Sequence, residues 1–212
     1  MPDITELFKQ AEEGTLPEGF DGWELANEDG RTVAHKAAFY NMLPEGFSKW
    51  GLADSEGDTV AHEAAARGKM PSGFDMWDMA NLEGWTVAHS AAACGNLPEG
   101  FDCWAMADKY GFSVAHAAAL GHHVPVGFVR WDMTDKDGRT VAHVAARHGT
   151  LPPGFDCWEL ADKNGWTVAH EAAEFGKLPE GFAMWHLADK DGRTVREIWQ
   201  QRQGKTIKTE GK

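Results

Sequence analysis

Tryptophan recurs every 27 residues, at Trp23, Trp50, Trp77, Trp104, Trp131, Trp158 and Trp185. Phe20, Phe47, Phe74, Phe101, Phe128, Phe155 and Phe182 keep the same step, as do the glycines from Gly30 to Gly192, with no insertion or deletion. Each copy reads roughly L-P-x-G-F-x-x-W-x-L-A-D-x-x-G-x-T-V-A-H-x-A-A-x-x-G-x. A unit this short cannot bury an apolar face by itself, so its copies must stack. This constrains the fold more than any local property does.

Residues 135–161 show what one unit predicts. "DKDG" is a turn signature, with Gly138 for the unusual dihedral. Thr140 stands where a helix N-cap belongs, and "VAHVAARHG" supplies about two helical turns stopped by Gly149. Ala142, Ala145 and Ala146 form a small-residue face that lets neighbouring helices approach closely. In "TLPPGFDCWELA" proline suits the first turn of a second helix, and Leu151, Phe155 and Trp158 follow at i, i+4 and i+7. The expected fold class is all-α, a helical repeat solenoid of turn–helix–helix units.

The ends depart from the pattern. Residues 1–16 are expected to form an N-terminal capping helix, with Thr5 in the threonine column and Phe8 where histidine would stand. Residues 17–191 hold six tandem repeats and the start of a seventh. Residues 192–204 keep Gly192, Thr194 and Val195 and form a C-terminal capping helix with Glu197 in the histidine column. Residues 205–212 are read as a disordered tail.

No run of about 18 apolar residues is present, so no membrane span is expected. The acidic, polar N-terminus is unlike a secretory signal. Cys103 and Cys157 share a repeat position two units apart, about 20 Å if layers stack about 10 Å apart, which is beyond disulfide reach. Cys94 has no mate. Free thiols suit a cytoplasmic protein, of the producing cell or of a host. The net charge of −13 disfavours nucleic acid. Residues 1–106 carry 19 acids against 6 bases, and residues 107–212 carry 14 of each. The acidic half would attract a basic partner. Acids such as Glu18, Asp21 and Glu45 also sit where helices are expected to begin, complementing the dipole.

The D-x-x-G-x-T-V-A-H-x-A-A-x-x-G half of each unit resembles the ankyrin repeat around T-P-L-H-x-A, with Val for Pro and Ala for Leu. The unit is 27 residues against about 33 in that family, and the shortfall lies in its second half. The resemblance implies a compact variant with a shortened outer helix and a reduced finger-like hairpin. It also implies that the recurring histidine ties adjoining turns together. His35, His62, His89, His116, His143 and His170 are six equal copies in equal surroundings. A catalytic group is needed once, so a structural role is expected and no catalytic residue. A column stepped by about 10 Å cannot ligate one ion about 2 Å from each donor. His62-Glu63 and His170-Glu171 lack the second histidine of a zinc protease. His122, His123 and His148 fall near each other in adjacent units, and a weak metal site there is the alternative to none. No cofactor is expected.

Function is expected where the repeats disagree on an exposed face. The second, third and fifth positions of the D-x-x-G-x-T turn vary, as do two positions late in the inner helix. Leu82, Trp85, Tyr110 and Phe112 gather aromatic and apolar character on central units, as binding hot spots do. The competing reading is that a tip aromatic covers the neighbouring turn. Lys109, Lys136, Lys163 and Lys190 form a basic stripe beside Arg139, Arg147 and Arg193. It reads either as a solvated face paired with nearby Asp or as a seat for an acidic peptide. Partner binding is assigned to Leu82, Trp85, Tyr110, Phe112, Arg139, Arg147, His148, Lys163 and Trp166. The expected function is that of a monomeric, non-enzymatic adaptor, inhibitor or effector scaffold gripping another protein on its concave face. The alternative is a binder of a small anionic ligand, such as a nucleotide, on the Lys/Arg/Trp166 patch.

Overall fold

The computed structural model describes residues 3–209, with side chains through residue 204. Among them lie eight helices and no strand: α1 (Ile4–Glu13), α2 (Val33–Phe39), α3 (Val60–Ala66), α4 (Val87–Ala93), α5 (Val114–Leu120), α6 (Val141–His148), α7 (Val168–Phe175) and α8 (Val195–Thr209). The chain divides into two compact units, Met1–Lys109 and Tyr110–Lys212. In the first, α1 packs on α2, α2 on α3 and α3 on α4; in the second, α5 on α6, α6 on α7 and α7 on α8.

Each helix from α2 to α7 starts where the sequence predicts, because the residue before Val carries the cap. Thr32, Thr59, Thr86, Ser113, Thr140 and Thr167 are extended N-caps. In each, the histidine three residues on closes a capping box, in the place usually held by Glu or Gln. The alanine face is buried as expected: Ala142, Ala145 and Ala146 are at most 1% exposed, and Val141 is fully buried. A face this small lets neighbouring helices of seven or eight residues approach closely.

The turn before each helix is built twice over. Asp135 Oδ1 accepts from the N–H groups of Asp137 and Arg139, both at 2.9 Å, and Gly138 adopts φ 82°. The turn also reaches the next one, since Lys163 N–H donates to Asp137 O at 3.0 Å and Lys190 N–H to Asn164 O at 3.0 Å. The first unit repeats this at Ser55 to Asp29 (3.0 Å) and Leu82 to Glu56 (3.1 Å). Turns stacked this closely exclude a side chain at the glycine: a Cβ on Gly138 would stand 2.9 Å from Lys163 N.

The outer helix is not formed, which corrects the turn–helix–helix reading. L-P-x-G-F makes a tight turn instead: Phe155 N–H donates to Pro152 O at 3.1 Å, with Gly154 at φ 79°. A left-handed glycine at the third position is the requirement of a type II turn and cannot continue a right-handed helix. The proline therefore begins a turn and not a helix. Leu151, Phe155 and Trp158 still share one apolar cluster, against Ala142, Ala146, Val168 and Ala172. The aromatic rings stack edge to face in an unbroken series: Trp131–Phe155 at 6.0 Å, Phe155–Trp158 at 5.3 Å, Trp158–Phe182 at 5.3 Å and Phe182–Trp185 at 5.3 Å. The first unit carries the same series from Phe20–Trp23 at 5.1 Å to Phe101–Trp104 at 5.5 Å. Such pairs contribute about 0.5–1.5 kcal/mol each beyond their burial, and here they do the work of an outer helix.

At the N-terminus the cap of α1 is Asp3, accepting from Thr5 N–H, so Thr5 lies inside the helix and not at its cap. Phe8 packs with Leu7 and Ala11 of the first core. At the other end α8 runs to Thr209, past the 192–204 cap and into the segment read as a tail; residues 210–212 of that segment lie outside the described residues. Among the described residues no helix is long and apolar enough to cross a membrane.

Candidate binding surface

The recurring histidine is fully accounted for by the fold. His143 is 2% exposed; its Nδ1 accepts from Thr140 N–H at 3.1 Å, and its Nε2 stands 2.9 Å from Trp166 O in the next turn. A backbone N–H can only donate and a carbonyl can only accept, so Nδ1 is bare and Nε2 carries the hydrogen. His35, His62, His116 and His170 repeat the inter-turn bond, to Asp58, Trp85, Arg139 and Arg193 carbonyls at 2.9–3.1 Å. Burial holds the imidazoles of His35, His143 and His170 below the ordinary histidine range. Glu197 takes the seventh place and keeps only the capping half, accepting from Thr194 N–H at 2.7 Å and Thr194 Oγ1 at 2.9 Å.

The variable positions lie outside this framework. Leu82 is 74% exposed at its turn tip and Tyr110 is 58% exposed. Trp85, Phe112 and Trp166 are half-buried, against the expectation of mainly exposed rings. Each lies over the histidine four residues on, in its own repeat: Trp85 on His89 at 4.8 Å, Phe112 on His116 at 5.0 Å and Trp166 on His170 at 5.0 Å. The indoles are also hydrogen-bonded, Trp85 Nε1 to Ser90 Oγ at 3.0 Å and Trp166 Nε1 to Glu171 Oε2 at 2.8 Å. Arginine at this position pairs with its own turn at Arg139 (Nε to Asp135 Oδ2, 3.1 Å) and Arg193 (Asp189 Oδ2, 2.7 Å), but with Glu63 of the next repeat at Arg31 (2.6 Å). The aromatic members of the fifth turn position thus pack on their own repeat, whereas Arg31 and Asp58 bond to the next one. The competing reading placed a tip ring over the neighbouring turn; the ring lies instead over the histidine of its own repeat.

In the second unit the variable residues enclose a cavity of about 270 Å³ lined by Phe112, Leu120, Arg139, His143, Val144, Arg147, His148 and Glu171. It gathers Phe112, Arg139, Arg147 and His148 of the nine assigned residues. Arg147 stands 4.0 Å from Glu171 Oε1 and lies over Phe175 at 4.6 Å. His148 stacks with His122 at 4.8 Å, the proximity expected from their repeat positions. Burial, with the charges of His122, Arg147 and Lys177, holds the His148 imidazole below its usual range. Burial pushes the Glu171 carboxyl up. Among the described residues no group of three or more His, Cys, Asp or Glu side chains is placed to hold a metal ion. Lys163 and Trp166 do not line the cavity; Lys163 is at an exposed turn tip, its carbonyl accepting from Lys190 Nζ at 2.6 Å. Leu120, Val144 and Glu171 were not assigned from sequence. The signal for two of them is the column after the histidine, which runs Lys36, Glu63, Ser90, Ala117, Val144, Glu171.

The first unit holds a cavity of about 440 Å³ of opposite character. Asp29, Asp54, Glu56, Asp58 and Glu63 line it, with Arg31, Asn81, Trp85 and Ser90. Arg31 pairs with Glu63 at 2.6 Å, and Asn81 Nδ2 donates to Asp58 Oδ1 at 2.7 Å.

Set against models of known protein families the chain matches none, and no curated protein is similar enough to show kinship.

Proposed function

We propose that this chain is a non-enzymatic, ankyrin-like repeat solenoid that holds another protein against its turn tips and the solvent face of its helices. One observation carries the reading. The repeat-invariant Thr, Val, Ala and His are buried in the scaffold, whereas most residues lining the two cavities stand where the repeats disagree, beside the invariant His35, Thr59, His62 and His143. Chemistry would need a reactive group outside the repeat, and the histidines that invite it are engaged at both ring nitrogens.

A protein partner suits the surface better than a nucleotide. The second cavity, about 270 Å³, is below the usual 300–1,000 Å³ of small-molecule sites. Arg139 and Arg193, which an anion would need, are matched by Asp135 and Asp189. The acidic first cavity suits a basic stretch of the partner. The test is affinity capture on the full chain, followed by sizing of the reconstituted complex. A stable stoichiometric protein complex is expected. A chain that captures no protein but is raised in melting temperature by a nucleotide panel would overturn the reading.

A further inference from the structure

We infer that the cavity of the second unit seats one apolar side chain of a partner segment, with an acidic residue next to it that Arg147 receives. The inference rests on the partner-binding reading above and narrows it.

The apolar character of this cavity is local, and the repeat itself shows that. Leu120 shares a column with Phe39, Ala66, Ala93, Arg147 and Glu174. Val144 shares one with Lys36, Glu63, Ser90, Ala117 and Glu171. Phe112 stands where Arg31, Asp58, Arg139 and Arg193 stand elsewhere. Each column tolerates charge; the trio one repeat earlier, Trp85, Ala93 and Ala117, is apolar too but holds two alanines, whereas Phe112, Leu120 and Val144 are all bulky and line a hollow. Leu120 is 46% exposed, a cost in water that a covering side chain removes. The volume of about 270 Å³ fits one large side chain.

Charge selects the flanking residue. Of the charged side chains at the cavity, Arg139 and Arg147 are 50% and 51% exposed, while the one carboxylate, Glu171, is 17% exposed and already accepts from Trp166. Arg139 is held by Asp135 at 3.1 Å and also approaches Asp137 at 4.0 Å. Arg147 is only 4.0 Å from its nearest acid, so its fork is the less committed. A guanidinium in that state takes a carboxylate in two parallel bonds. A basic flanking residue would meet both arginines and be repelled.

The experiment is selection of a phage-displayed random dodecapeptide library on the full chain, then anisotropy titration of the enriched, fluorescein-labelled peptides. Leu, Ile, Met or an aromatic residue beside Asp or Glu is the expected pattern. Leu120→Ala, Val144→Ser and Arg147→Glu each install a residue found in the same column of another repeat, so the fold survives, which an unchanged urea midpoint checks. Each should weaken peptide binding on the order of tenfold, and Val126→Glu, an exposed position outside the cavity lining where other repeats carry Glu, should leave it unchanged. Enriched peptides that are basic, or that bind the three variants as tightly as wild type, overturn the assignment while the partner-binding reading stands. Failure to enrich any peptide also counts against it, and the protein-capture experiment then decides the broader reading separately.

Discussion

Replacing His143 by alanine removes one imidazole and strands two backbone groups at once. Thr140 N–H loses its acceptor at 3.1 Å, and Trp166 O in the next turn loses its donor at 2.9 Å. A buried polar group left without a partner costs about 1–3 kcal/mol. Thr140 is 2% exposed, so no water replaces the ring there; the half-buried Trp166 carbonyl falls at the low end of that range. The sum is about 2–4 kcal/mol, a large fraction of the 5–15 kcal/mol typical of a domain. His143→Glu sharpens the test, since Glu197 shows that a carboxylate can cap. At position 143 it would keep the cap but turn an acceptor toward the Trp166 carbonyl. It should therefore recover little or none of the loss at pH 7. Glu197→Ala, which breaks only an exposed cap, should cost less than His143→Ala. Urea unfolding of the three variants measures this. A loss below about 0.5 kcal/mol for His143→Ala, or a wild-type midpoint for His143→Glu, would refute the inter-turn bond as a source of stability.

Two further outcomes follow from the same geometry. Because burial holds His35, His143 and His170 below the ordinary range, the unfolded chain binds protons that the folded one refuses once pH falls under about 6.5. Stability is complete above that pH and declines below it, by at most about 1.4 kcal/mol per pH unit for each histidine, with the raised Glu171 carboxyl opposing it as a single group. The urea midpoint at pH 5.5 should lie below that at pH 8, and an equal or higher midpoint contradicts this. Gly138→Ala should destabilise more than Gly154→Ala: both glycines are left-handed, an alanine penalty of about 1–2 kcal/mol, but only at Gly138 would the new Cβ meet backbone, 2.9 Å from Lys163 N. Equal midpoints in thermal melts of the two would mean that the turns do not stack closely.

The period, the inner helices, their threonine caps and the structural histidine were legible because each depends on local chemistry repeated in step. Glu197 was legible as an exception for the same reason. The outer segment was misread because Leu151, Phe155 and Trp158 have helical spacing, and the spacing outweighed Gly154 at the third place of P-x-G-F. The left-handed glycine decides the conformation there, and the aromatics share one cluster across turns. The half-burial of Trp85, Phe112 and Trp166 was hidden because one column mixes Trp, Phe, Arg and Asp. That a ring can lie on the histidine while an arginine turns to its own Asp appears only in three dimensions. Of the cavity residues, Arg147 and His148 were singled out by variability; Leu120 shares the Arg147 column and Val144 a further variable one, but only the cavity brings them to Phe112.

The proposed function requires an invariant scaffold and a variable face that takes the partner. It is tested most directly by calorimetric titration of the captured partner into wild type and into one surface variant. Leu82→Lys, Tyr110→Asp, Leu120→Ala and Arg147→Glu together install residues that other repeats carry in the same columns. An unchanged urea midpoint is expected, with a loss of affinity of at least about thirtyfold, the equivalent of roughly 2 kcal/mol. Wild-type affinity in that variant, with the fold intact, would contradict it.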